Sequence, residues 1–179
     1  MDGVFRGIDD PRLSQLYVYW RNRKRGKAMP APEDIHSADL SPSVQPNLML
    51  LEVVRDGART RFRYTKVGKV FWRAGESEPS GKFVDEVLPA VAGYREYVLG
   101  IYEEMAACGR PMYTENLFIL QHGHSDPMAT KRVSLPLSRD GVQVDQVLAG
   151  HVFDYGTGND GDGFALVTGL TEVARAFLE

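Results

Sequence analysis

At 179 residues, with 43% apolar and 25% charged side chains, the chain has the composition of one globular domain and not of a disordered segment. A formal net charge of −3 supplies no global attraction for nucleic acid, and a single cysteine, Cys108, excludes an intramolecular disulfide and a cysteine-rich zinc cage. No stretch approaches the roughly 18–20 apolar residues of a membrane span, and the N-terminus lacks the charged-then-apolar run of a signal peptide, so a cytoplasmic protein is expected.

The first element is a helix. Asp10 suits its N-cap and Pro11 its first turn. Leu13, Leu16, Tyr17 and Trp20 follow at i, i+3, i+4 and i+7, which gathers them on one face. Gly26 and Pro30 close the helix, and five cations between Arg21 and Lys27 complement the negative end of its dipole. Residues 28–47 contain four prolines and read as an ordered connector with one helical turn.

Residues 47–54 form a short apolar run suited to a buried strand, and Asp56-Gly57 is a hairpin signal. Residues 60–67 alternate, with Phe62 and Tyr64 on one side and Arg61 and Arg63 on the other. The period then changes. Short helices are predicted at 68–75 and 83–88, and a long one at 89–108 with Val91, Tyr94, Val98, Ile101, Tyr102 and Met105 on one face, ended by Gly109 and Pro111. Residues 112–121, 130–138 and 142–155 read as strands, the last two joined across Asp140-Gly141. A glycine-rich acidic loop occupies 156–163, and a short helix is predicted over 171–178.

These elements predict an α+β domain: a five-stranded antiparallel sheet, helices covering one face, and an N-terminal helix. One domain is expected over 1–179, with helix and connector at 10–47, a core at 48–155, and a C-terminal loop and short helix at 156–179.

That order of elements resembles the PAS superfamily, and the residues narrow the resemblance to a bacterial subfamily of small, stand-alone PAS proteins. The motifs that carry it are Leu16-Tyr-Val-Tyr-Trp20 before a basic helix end, Met29-Pro30 with Asp34-Ile35, Phe62-Arg-Tyr-Thr-Lys-Val-Gly68, Gly81-Lys-Phe-Val-Asp-Glu-Val-Leu88 and Leu135-Pro-Leu-Ser-Arg-Asp-Gly141. Lys69 departs from the subfamily's small hydroxyl residue, and the link 75–81 is more acidic than its counterparts. The resemblance implies a sensory or adaptor domain that binds a small ligand or a protein partner in signalling and carries no general catalytic residues. With the PAS-like region filling the chain, output is expected through a partner or through self-association, the N-terminal helix offering Leu13, Leu16, Tyr17 and Trp20 as the interface of a homodimer or docking surface.

A PAS-like arrangement encloses an apolar space between sheet and helices. Phe62, Tyr64, Phe71, Trp72, Val84 and Leu88 are expected around it, together with Tyr94, Val133, Leu135 and Leu137. Tyr64, Tyr94, Trp72 and Asn116 are the polar groups expected to orient a ligand there. Haem is not expected, because the long helix has no histidine to serve as axial ligand.

Other chemistry is weaker. His122-Gly-His124-Ser-Asp126 suggests a metal-dependent enzyme, but the following residue is Pro127, where metallo-hydrolase cores place a further histidine. The segment reads more simply as a polar loop. Gly156–Gly163 lacks the bidentate glutamate of a calcium loop. The basic stretch 21–27, flanked by Tyr17, Tyr19 and Trp20, suggests a nucleotide or nucleic-acid contact, against the simpler reading of a solvated helix end. Nucleophile-elbow, phosphate-loop and HExxH motifs do not occur.

Overall fold

The computed structural model describes residues 7–57, 59–72, 77–88, 93–120, 128–154 and 167–179. Helix α1 (Pro11–Arg23) opens as the sequence predicts: the Asp10 carboxylate accepts hydrogen bonds from the amides of Arg12 and Leu13, at 2.8 and 3.4 Å. The connector that follows holds three single 3₁₀ turns and is tied down along its length. The Ser138 amide donates to the Pro30 carbonyl and Asn47 Nδ2 to the His151 carbonyl, while Met29, Leu40 and Val44 are buried.

Strands β1 (Leu48–Asp56) and β2 (Arg59–Val67) make the predicted hairpin, with Asp56 opposite Arg59. Of the helix predicted at 68–75, the described residues form a 3₁₀ turn over Lys69–Phe71, and residues 73–75 lie outside them. Helix α2 (Val84–Val87) is pinned to β2 by Arg61, which donates to Asp85 and Glu86 and lies 3.6 Å over the Phe83 ring. Helix α3 (Tyr94–Cys108) buries Tyr94, Val98, Ile101, Tyr102 and Met105 as its periodicity requires; Val91 lies outside the described residues.

Strands β3 (Met112–Leu120), β4 (Met128–Leu137), β5 (Gln146–Asp154) and β6 (Val167–Phe177) complete the sheet. Its order is β2-β1-β5-β4-β3-β6, with every neighbouring pair antiparallel. Among the described residues the sheet therefore has six strands and not the expected five. The sixth is the segment predicted as a helix over 171–178. Leu170, Val173, Ala174 and Phe177 do fall at helical spacing, but β3 would otherwise present a bare edge of backbone donors and acceptors, and pairing with it decides the conformation. β5 also starts later than predicted. The Asp140 carboxylate accepts from the amides of Val142 and Gln143 and from the Ser138 hydroxyl, holding a local loop in place of the ladder.

Both faces of the sheet are covered, and strand alternation assigns the residues to each. Val133 pairs with Gly150, and Arg132 with His151. A methyl group at Gly150 would stand 2.6 Å from Leu16 Cδ2 and 3.1 Å from Leu13 Cδ2, so this position lies directly under α1. Trp20 is fully buried and donates from Nε1 to the Pro136 carbonyl at 2.8 Å. His151, on the opposite face, meets the Tyr102 hydroxyl of α3. Among the described residues no helix is long and apolar enough to cross a membrane.

Gly68 packs directly on the connector: a methyl group there would stand 2.1 Å from the Pro46 carbonyl oxygen, a backbone atom with nowhere to go. Gly68→Ala is therefore expected to lower stability by about 1–3 kcal/mol through overpacking, read as a drop in the urea midpoint at unchanged slope.

Candidate functional site

A cavity of about 310 Å³ lies between α3, α2 and the sheet. Aromatic and aliphatic side chains form its walls, among them Tyr64, Phe71, Leu88, Tyr94, Val98 and Tyr102, with Met49, Val67, Pro79 and Val87. His151 is its imidazole. The Phe71 ring meets His151 edge-on, centroids 5.1 Å apart, and Phe62 packs on Tyr102 at 5.5 Å.

Beside this cavity the α3 face of the sheet carries a buried polar strip. Thr130, Arg132 and Ser134 are alternate residues of β4 and share one face; Asn116 pairs with Thr130, Thr114 with Arg132, and His151 with Arg132. All six are buried, Arg132 completely. Arg132 Nε donates to His151 Nε2 at 3.0 Å, and Nη1 to the Thr114 hydroxyl at 3.3 Å. Nη2 has no partner among the described residues, and the same holds for the Ser134 and Thr130 hydroxyls and both amide atoms of Asn116. No carboxylate of the described residues lies within 4 Å of the Arg132 guanidinium. Buried polar groups are nearly always bonded, so a cluster of unpartnered atoms around a charge makes this strip a candidate site.

The electrostatics follow from that charge. Burial, and then the Arg132 cation, push His151 well below the usual histidine range. Nε2 accepts from Arg132, so the hydrogen bonds assign the proton of the neutral ring to Nδ1. Burial raises the phenols of Tyr64, Tyr94 and Tyr102, the last to about 12, while Arg132 opposes the rise at each, placing its charge close to three walls of the cavity.

Of the residues predicted around the pocket, Tyr64, Phe71, Leu88 and Tyr94 line the cavity. Phe62 and Val84 are fully buried but do not line it, and Trp72 is half-buried, its indole N–H without a partner among the described residues. Asn116 is in the polar strip. Val133, Leu135 and Leu137 are corrections: they share the Gly150 face and lie under α1, because β4 alternates and the residues it turns to the opposite face include the polar Thr130, Arg132 and Ser134. Arg132, His151 and Tyr102 were missed. A signal existed in Thr130-Lys-Arg-Val-Ser-Leu-Pro-Leu137, whose two faces read polar and apolar, but the apolar set is the one that looks like a pocket in isolation.

The predicted interface is also corrected. Leu13, Leu16 and Trp20 are 1%, 0% and 0% exposed, consumed by the chain's own sheet, and cannot serve as a docking surface in this packing. Tyr17 is half-buried and donates to the Glu179 carbonyl. The basic helix end is partly occupied too: Arg23 pairs with Asp39 and Arg25 with Asp34, and Arg21, Arg23 and Lys24 lie over the rings of Tyr17, Tyr19 and Trp20. His122, His124 and Asp126 lie outside the described residues, as does the loop 156–163. Among the described residues, no three His, Cys, Asp or Glu side chains gather as metal ligands.

Compared with known proteins, the chain matches no family model, no curated protein and no solved structure. The site defines a domain of a class, an α+β sheet domain with an internal, partly polar cavity; its use rests on the chemistry of that cavity.

Because the unfolded chain binds a proton at His151 near pH 6.5 and the folded chain does not, His151 disfavours folding increasingly as pH falls below that value. The stability of the wild type is expected to drop between about pH 7 and pH 5. His151→Gln, whose carbonyl still accepts from Arg132, should flatten that part of the urea-midpoint profile.

Proposed function

We propose that this chain is a non-enzymatic PAS-type sensory or adaptor domain, whose signal is a small molecule held in the cavity between α3 and the sheet. One observation carries the reading: the cavity of about 310 Å³, apolar and aromatic on most sides, opens on His151 beside a strip of buried, unpartnered polar atoms. The succession of an N-terminal helix, a hairpin, short helices, a long helix and three further strands supports the PAS reading, with β6 as an addition to it. A binding role is favoured over catalysis by the state of His151. Its basic lone pair is occupied by Arg132, and its proton affinity is depressed, so it is poorly placed to act as a general base.

In this reading the ligand sets the packing of α3 on the sheet, and a partner protein reads the change. Native mass spectrometry of freshly purified chain, with an absorbance spectrum, tests it. The wild type is expected to carry a bound small molecule, and Val98→Trp, which fills the cavity from α3, is expected to stay folded and lose it. If the wild type comes off as bare polypeptide and a small-molecule thermal-shift screen moves nothing, the ligand reading fails and a purely protein-binding role takes its place.

A further inference from the structure

Two hydrogen-bond donors line the cavity with no protein partner among the described residues. His151 Nε2 is taken by Arg132 Nε at 3.0 Å, so the ring proton is on Nδ1, and no acceptor among the described residues meets it. The Tyr64 hydroxyl is in the same position: burial and the neighbouring phenols act on it, and no hydrogen bond does. Neither group is sealed. Tyr64 and His151 keep 5% and 4% of their surface accessible, whereas the sealed, unpartnered side-chain atoms among the described residues belong to Trp72, Tyr97, Asn116, Thr130, Arg132 and Ser134. The Tyr102 hydroxyl links the two donors: it stands 3.3 Å from the imidazole and is the nearer of the two phenols that act on Tyr64 by charge.

The walls themselves carry no charge. No acidic side chain, lysine or arginine lines the cavity; His151 is held neutral, and burial keeps the phenols of Tyr64 and Tyr102 protonated. Arg132 stands behind the imidazole and does not line the space, but its bond to Nε2 draws electron density from the ring and sharpens Nδ1–H as a donor. A water occupies about 30 Å³ of the liquid, so a cavity of about 310 Å³ admits roughly ten non-hydrogen atoms.

We propose that the ligand is an uncharged carbonyl compound with an apolar, ring-sized body, its oxygen accepting from His151 Nδ1 and the Tyr64 hydroxyl inside the cavity. This rests on the small-molecule reading above and names the class of molecule. A carbonyl oxygen offers two lone pairs and no proton, which is what two unpartnered donors require. An alcohol would bring a proton to a wall whose imidazole lone pair is already occupied. A carboxylate would be buried without touching a cation, because the Arg132 guanidinium stays behind the ring. The aliphatic and aromatic remainder of the walls suits an apolar body and not a sugar.

The test is a set of thermal-shift and calorimetric titrations at pH 7 with three compounds of one shape: acetophenone, α-methylstyrene, in which CH₂ replaces the oxygen, and benzoate, in which a charged oxygen replaces the methyl group. Acetophenone is expected to bind and raise the melting temperature, with its carbonyl stretch moved to lower frequency in the complex. α-Methylstyrene is expected to bind about 10–100-fold more weakly, the range of buried donors left unbonded, and benzoate more weakly than acetophenone. Tyr64→Phe keeps the ring and removes only the hydroxyl. It is expected to weaken acetophenone by about 3–10-fold, to leave α-methylstyrene unchanged or tighter, and to return part of the carbonyl shift. α-Methylstyrene binding as tightly as acetophenone, or equal weakening of both by Tyr64→Phe, overturns the carbonyl assignment and leaves the cavity reading standing. So does benzoate as the tightest of the three. No shift from any compound overturns the carbonyl assignment, and a bare native spectrum beside it removes the small-molecule reading as well.

Discussion

The hydrogen bond from Arg132 Nε to His151 Nε2 organises the interior on the α3 side of the sheet. It joins β4 to β5 by side chains where the backbone ladder already joins them, and fixes the imidazole as a neutral acceptor with its proton on Nδ1. It also aims the guanidinium along the strip, so that Nη1 meets Thr114 and Nη2 remains available. The cavity's tyrosines stand within the field of this one charge, which opposes the rise that burial imposes on their phenols. Replace the histidine by an apolar residue, and the arginine loses its positioning partner while staying buried.

The two faces of the sheet do different work. Under α1 the contacts are apolar and close: Leu13 and Leu16 sit on Gly150, and Trp20 is locked by a single buried hydrogen bond to Pro136. Under α3 the same strands present Thr130, Arg132, Ser134 and Asn116. A protein selected only for stability would fill those positions with apolar side chains, so their polarity is a departure from the rest of the core, of the kind that binding sites require.

Much of the fold was legible in the sequence because its signals are local. The Asp10-Pro11 start of α1, the Asp56-Gly57 hairpin and the stripe of α3 each follow from a few neighbouring residues. The errors came where distant partners decide. Leu170, Val173, Ala174 and Phe177 have helical spacing, yet β3 recruits them as a strand. Leu13, Leu16 and Trp20 read as a stripe seeking a partner, and the partner is the chain's own sheet. The site was half visible: Tyr64, Phe71, Leu88, Tyr94 and Asn116 were found by type. Arg132 was not, because a lone arginine in a strand looks like a solvated charge until its pairing with His151 and its complete burial are known.

From Leu170 to Phe177 the side chains of strand β6 are exposed or half-buried, and Leu178 is buried after it. Its worth to the domain lies in the backbone. By pairing with β3 along nearly its whole length, it keeps the strand that bears Asn116 away from the rim of the sheet, where solvent exchange and fraying are fastest. It also puts an edge rich in charge at the rim, with Arg175 paired to Glu172 and to Glu104 of α3, which discourages a second sheet from docking there. The last segment of the chain thus acts as a selvedge, sealing the fabric of the sheet against unravelling and against being stitched to another copy.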